Sequence, residues 1–242
     1  MANRRFIDLS MEVFKGMVVY PGVTPPFIGE FYSHKEYAKI TGTDKYGITH
    51  CNAGIIVMGD HVGTHIDSWW HANPDAPGGA EAIPIEYCYG DGVVLDLTHK
   101  GPGDEISEAD LRSAAAAIDY QIKPLDIVLI RTDASKQRFD QAYLTDHPGM
   151  TREGTLWLLD QGVKLIGIDA IGFDPPVQYM FERKKFWEAH RVMREREYYH
   201  IENLINLDQI PVPYGFTVSA LPVKLRGATA TPIRAVAIIE DE

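Results

Sequence analysis

The chain has 242 residues, 45% hydrophobic and 24% charged, with no low-complexity run; this bounds it to one ordinary globular domain and excludes a disordered or fibrous protein. Its 23 Lys and Arg against 34 Asp and Glu leave a formal charge of -11, so most of its surface repels nucleic acid and anionic membranes. Two cysteines, Cys51 and Cys88, exclude a disulfide framework and are read as buried thiols, while the lack of a signal-peptide core or of a spanning apolar run points to a cytoplasmic protein off the membrane.

In chain order, Gly16, Pro21, Gly22, Pro25 and Pro26 break up residues 12–30 and leave only Met17–Tyr20 as a short strand. Residues 92–97 (GVVLDL) read as a buried strand. Ser107 then caps an alanine-rich helix whose first turn is acidic, which suits the positive end of the helix dipole. Another strand spans 125–131. Thr151 caps a helix through Leu158, Gly162 lies past its end, and 163–169 (VKLIGID) form a third strand. Two strand-helix-strand units in succession imply a partly parallel sheet, and the proline-rich flanks with a final strand at 233–239 add antiparallel neighbours. The expected fold class is α/β: a single domain over 1–242, with a mixed β-sheet and flanking helices.

The segment GDHVGTHIDSWWH, residues 59–71, concentrates three histidines and two aspartates. On a helix, at about 100° per residue, His61 and His65 share a face that Asp67 and His71 do not. On a strand, His61, His65, Asp67 and His71 have one parity and point to one side. A straight strand, however, at about 3.3 Å per residue, holds His61 and Asp67 roughly 20 Å apart, too far to share one ion. The chain must therefore bend between them. Gly63 permits backbone angles closed to other residues, and the Thr64 hydroxyl is suited to hold the turn.

Two neutral imidazoles and a carboxylate suit Zn2+, Mn2+ or Fe2+, and with open positions such a set supports metal-activated hydrolysis. His71, past the bend, fits either a further ligand or a proton carrier, and we assign it the second role.

The segment resembles the hallmark His-x-Gly-Thr-His-x-Asp-x-Pro-x-His of the cyclase-like metal-dependent hydrolases, which include bacterial kynurenine formamidase and isatin hydrolase. It matches at His61, Gly63, Thr64, His65, Asp67 and His71, and Asp8-Leu9-Ser10 and Tyr20-Pro21-Gly22 are similar to N-terminal elements of that family. The resemblance covers nearly the whole chain. It implies a swivelling β/β/α cyclase-like fold, and it implies two further ligands, a downstream histidine and a glutamate twelve residues later, which His190 and Glu202 match. By the same resemblance, His61, His65, Asp67, His190 and Glu202 would hold one or two divalent ions, Zn2+ or Mn2+, and His71 would be catalytic. A homodimer or homotetramer is also implied, with the N-terminal segment reaching a neighbour's pocket.

This chain departs from the hallmark where Trp69, followed by Trp70, replaces the proline. Trp69 is therefore a candidate substrate contact, with core packing as the alternative, and Tyr20 is a second candidate at lower weight. Phe27, Phe31 and Tyr32 stand with Tyr20, with core or subunit contact as the alternative for each. Of the remaining histidines, His50, His99 and His147 lack a matching motif, while His200 is a reserve ligand because on a strand it shares the side of Glu202. Asp104-Glu105, Arg183-Lys184-Lys185 and the stretch 169–174 are given no chemistry. The expected reaction is hydrolysis of an amide or lactam C–N bond in an N-formyl aryl amine, an isatin-like lactam or a related cyclic amide, by water activated at the ion. The alternatives are a metal-assisted cyclase or lactone and ester hydrolase, and a non-catalytic metal-containing binding protein.

Overall fold

The computed structural model describes residues 4–49 and 51–240. The chain runs β1 (Arg4–Asp8), β2 (Phe27–Tyr32), α1 (His34–Thr41), β3 (Ala53–Val57) and β4 (His65–Asp67). It continues through β5 (Tyr89–Asp96), β6 (Glu105–Ile106), α2 (Glu108–Ala117), β7 (Ile127–Arg131), β8 (Gly149–Met150), α3 (Arg152–Asp160) and β9 (Leu165–Ile168). The last elements are α4 (Val177–Arg183), α5 (Glu188–Arg191), β10 (Tyr199–Glu202), β11 (Tyr214–Ser219), β12 (Ala230–Pro232) and β13 (Val236–Glu240).

Nine strands form one mixed sheet in the order β1-β13-β11-β5-β7-β9-β10-β4-β12. Its centre, β5-β7-β9-β10, is parallel, and its flanks are antiparallel. The parallel centre is what two strand-helix-strand units require, since a parallel neighbour can be reached only by a crossover. In β7 all of Ile127–Ile130 is buried, but alternate residues serve two cores: Val128 and Ile130 face the helices, Ile127 and Leu129 the opposite side. The helical core takes Leu111 of α2, Trp157 and Leu158 of α3 and Ala189 of α5. The other core joins Ile7, Ala237 and Ile239 from one end of the sheet to Ile66 and Ile201 from the other, so the sheet curls around it. Hydrogen bonds from Leu9 N to Ala235 O (2.9 Å) and from Ile205 N to Leu9 O (3.0 Å) tie the two ends together.

Ser107 and Asp110 cap α2 reciprocally, and the Thr151 hydroxyl accepts from Gly154 N at 3.1 Å to open α3, as their positions predict. Three expectations are corrected. Met17–Tyr20 is not a strand: it lies between turns at Gly16 and Gly22, with φ of 91° and 93°, as a loop packed against the helical core, unpaired with any strand among the described residues. The strand expected from Leu125 begins at Ile127, because Leu125 sits at φ 68°. The last strand begins at Val236 rather than Ile233. The proline-rich region also holds β2, which pairs with β3 in a separate two-stranded sheet.

Candidate metal centre

The site is assembled by register. Antiparallel pairing sets His200 opposite Asp67 and Glu202 opposite His65, so the four side chains project from one face of β4 and β10, while Ile66 and Ile201 turn to the core inside the curl. His200, the reserve ligand, thus belongs to the cluster. The chain bends before β4 as expected: Gly63 takes φ 69°, and a Cβ there would lie 2.7 Å from Val13 Cγ2. Thr64 does not close this turn locally. Its hydroxyl donates to Asn203 O at 2.6 Å and accepts from Met11 N at 2.8 Å, locking the bend to the end of β10 and to the N-terminal segment.

Asp67 is the centre of the cluster. Its Oδ1 lies 2.8 Å from His61 Nδ1 and 3.1 Å from His65 Nε2. Its Oδ2 lies 3.1 Å from His200 Nε2, 3.5 Å from His190 Nε2 and 3.6 Å from His71 Nε2. Glu202 reaches the same imidazoles, with Oε2 3.5 Å from His65 Nε2 and Oε1 3.6 Å from His200 Nε2. Its Oε1 also accepts from Phe173 N at 2.7 Å.

Two of these rings show which nitrogen is a bare acceptor. His65 Nδ1 donates to Gly63 O at 2.9 Å, and His190 Nδ1 donates to Asp174 Oδ2 at 2.5 Å, leaving both Nε2 lone pairs facing the cluster. Asp174 also accepts from Ala189 N and His190 N, at 2.8 and 3.1 Å, so one carboxylate holds both the start of α5 and its histidine. The sequence alone gives Asp174, in the stretch 169–174, no chemical role. A signal was available, since it lies in the loop past β9, where strand ends of α/β sheets gather functional groups.

The donor set fits a divalent cation. Both Asp67 oxygens and both His200 nitrogens are fully buried, and among the described residues none of the four finds a well-aligned hydrogen-bond partner despite the short separations. Leaving a buried carboxylate without a well-aligned hydrogen bond costs several kcal/mol, of order that of an unpaired buried charge, unless positive charge, from protons or a cation, lies beside it. The electrostatics run the same way. Burial opposes ionisation of Asp67, yet the His61, His71 and His200 imidazoles hold its carboxyl well below the usual range. Burial likewise opposes charge on His61 and His190, but the carboxylates around them, Asp67 and Asp174 foremost, raise both. Protons and a metal compete for such a place. The ligand atoms fall into two adjacent groups, His61, His65 and Asp67, and Asp67, His190, His200 and Glu202, with Asp67 common to both.

A cavity of about 680 Å³ opens over this cluster, lined by His61, Asp67, His71, His190 and Glu202 on its floor and by Tyr20, Trp70 and Trp187 on its walls. His71 ends a single 3-10 turn, Trp69–His71, and its side chain remains about 32% exposed. Burial and then the neighbouring His190, His61 and His200 imidazoles, against the pull of Asp67, push its pKa down to about 4. Burial pushes the Tyr20 phenol up to about 12. Trp69 sits behind the wall: its indole N–H donates to Met193 O and its rings pack against both cores. Trp70, 37% exposed, occupies the cavity lining instead.

The other candidates fall elsewhere. His99 is exposed, His147 is buried with Nδ1 2.9 Å from Pro148 O, and His50 lies outside the described residues. Cys88 is buried and its thiol is pushed up to about 12 by burial, whereas Cys51 is exposed, against expectation. Lys185 pairs with Glu105 at 3.0 Å, away from the cluster.

The family model described as "Putative cyclase" matches residues 7–175. Kynurenine formamidase from Paracidovorax citrulli is 31% identical over 237 residues, covering 96% of each chain, and isatin hydrolase from Roseibium aggregatum is 27% identical over 204 residues, covering 76% of this chain and 73% of its own. Among solved structures, isatin hydrolase A from Labrenzia aggregata bound to benzyl benzoate superposes with a TM-score of 0.83 at 23% identity, over 98% of this chain and 94% of its own. An isatin hydrolase bound to the product analogue thioisatinate gives 0.84 at 20% identity, over 98% and 93%. These structural likenesses establish the fold.

Proposed function

This chain belongs to the cyclase family, and we propose that it is a metal-dependent hydrolase that cleaves an amide-type C–N bond, in an N-formyl aryl amine, an isatin-like lactam or a related cyclic amide. The observation that carries the proposal is Asp67, a buried carboxylate within 3.6 Å of five imidazole nitrogens and open to a cavity large enough for an aromatic amide. His61, His65, Asp67, His190 and Glu202 are the proposed ligands, with His200 added to them by its position. A divalent ion held there, zinc or manganese, singly or as a pair, would lower the pKa of water towards neutrality and polarise a carbonyl oxygen.

The chain's own groups do the rest. Asp174 holds the His190 ring, and Glu202 and Asp67 beside it would supply the negative charge that offsets a cation. His71 is the proposed catalytic residue: neutral at pH 7, it takes a proton from the attacking water at Nε2 and returns it to the leaving nitrogen. Tyr20 and Trp70 line the cavity beside it and are placed to bind the planar part of the substrate, while Trp69 supports that wall from behind.

Residues 1–242 are taken as one domain in a cytoplasmic homo-oligomer. Among the described residues no helix is long and apolar enough to cross a membrane, and the β2-β3 sheet exposes Phe27, Phe31, Ile56 and Val57, an apolar surface suited to a second copy. Assaying a formanilide, a lactam and a lactone with Zn2+ or Mn2+, before and after chelation, tests the reaction. Turnover of the nitrogen compounds that is abolished by chelation is expected; turnover of oxygen esters alone, or indifference to chelation, would sink the proposal.

A further inference from the structure

Asp60 and Thr229, both outside the proposed ligand set, form a chain of hydrogen bonds that ends on His61. Thr229 Oγ1 lies 2.9 Å from Asp60 Oδ2 and 2.9 Å from His61 Nε2. The same Asp60 oxygen accepts from Thr229 N at 2.8 Å and Ala230 N at 3.2 Å. A hydroxyl has one hydrogen. A carboxylate can only accept and is the stronger acceptor, so the hydroxyl hydrogen goes to Asp60 and the hydroxyl lone pair is left for His61. His61 must then carry its hydrogen on Nε2, which strips Nδ1 bare.

That bare nitrogen is the one that matters. His61 Nδ1 stands 2.8 Å from Asp67 Oδ1 and 3.3 Å from His65 Nε2, whose own lone pair is exposed by the bond from Nδ1 to Gly63 O. Three lone pairs thus converge where a cation would sit. The fold gives Thr229 no freedom to do otherwise: it precedes β12, whose Ala230 pairs with Asp67, and its carbonyl accepts from Ser68 N at 3.0 Å and Ser68 Oγ at 2.7 Å.

We infer that Thr229, oriented by Asp60, is a positioning residue that fixes the tautomer of His61 and so makes Nδ1 its ligand atom. This inference rests on the metal-centre reading and deepens it. Position 60 immediately precedes the first histidine of the segment, and position 229 comes from the far end of the chain, so the relay joins two parts of the sequence that no short motif connects.

The test uses the metal-free full-length protein. Titrating Zn2+ or Mn2+ against a competing chelator, Thr229→Val and Asp60→Ala bind about 10- to 100-fold more weakly than wild type, the usual cost of losing an orienting partner, and Thr229→Ser is restored to near wild type. Unchanged affinity in Thr229→Val or in Asp60→Ala, or a Thr229→Ser variant as impaired as Thr229→Val, overturns the inference. A second measurement needs no variant: at a pH high enough for wild-type His61 to be neutral, its ring nitrogen-15 shifts are expected to report hydrogen on Nε2, and a neutral ring with hydrogen on Nδ1 overturns it. If wild type binds no ion, the metal-centre reading fails, and the nitrogen-15 result still decides the tautomer on its own.

Discussion

Asp174 Oδ2 lies 2.5 Å from His190 Nδ1, and the same carboxylate receives the backbone N–H groups of Ala189 and His190. One side chain thus starts a four-residue helix and aims the histidine that the helix carries. Removing it has two separable consequences. Asp174→Ala should lower stability by about 1 kcal/mol through the lost helix-start bonds, read by denaturant unfolding of the metal-free protein. It should also lower metal affinity about 10- to 100-fold, because the Nε2 lone pair of His190 is no longer held towards Asp67. Unaltered affinity alongside reduced stability would remove Asp174 from the site.

His71→Ala should reduce turnover of an accepted amide by about 10² to 10⁴ while the bound metal, measured by elemental analysis, stays at the wild-type level. Full activity would exclude His71 as proton carrier, and loss of the ion would make it a ligand.

Gly63→Ala should destabilise the fold by more than about 1 kcal/mol. The residue sits at φ 69°, where an L side chain is strained, and its new Cβ would press on Val13 Cγ2 at 2.7 Å. A denaturant midpoint equal to that of wild type would show that the bend does not depend on glycine.

The two adjacent tryptophans should separate cleanly. Trp69→Ala should lose up to about 3 kcal/mol of stability, since it empties space between both cores and strands the Met193 carbonyl. Trp70→Ala, a change at the cavity wall, should instead raise KM and leave the unfolding midpoint nearly unmoved. The reverse pattern would return the substrate contact to Trp69.

Stability should also carry a pH signature from Asp169. This buried carboxyl is pushed up to about 6, chiefly by burial, against the hydrogen bonds from Thr132 and Asp133 that favour its charged form. Its folded pKa lies above the ordinary value of 3.8, so the folded chain holds this proton more tightly than the unfolded one. The stabilisation is complete below about pH 4 and is lost as pH rises through about 6. The stability of wild type relative to Asp169→Asn should therefore fall by about 2 to 3 kcal/mol between pH 4 and pH 7. A difference that does not change with pH would show that Asp169 titrates normally.

Much of the fold could be read from local pattern. The GVVLDL and VKLIGID strands, the Ser107 and Thr151 caps and the alternation of crossover helices all follow from rules that act within a few residues, and each appears with boundaries shifted by at most three residues. The site was legible to the same depth. Parity put His65 with Asp67 and His200 with Glu202, and the length of a straight strand demanded the bend that Gly63 supplies.

Pairing across the chain was not legible. Met17–Tyr20 has strand composition but pairs with no strand among the described residues, and nothing local in its sequence reports that. The assignment of Trp70 rather than Trp69 to the cavity depends on a 3-10 turn and on the position of the Met193 carbonyl. By itself the sequence determined which side chains are candidates for the chemistry and which face of a strand they share, because side-chain direction is a property of neighbouring residues. Only the tertiary structure decided that Asp174 would aim His190, that Asp60 and Thr229 would meet His61, and that five imidazoles would close on Asp67, because the register between strands is set by core packing over separations of more than a hundred residues.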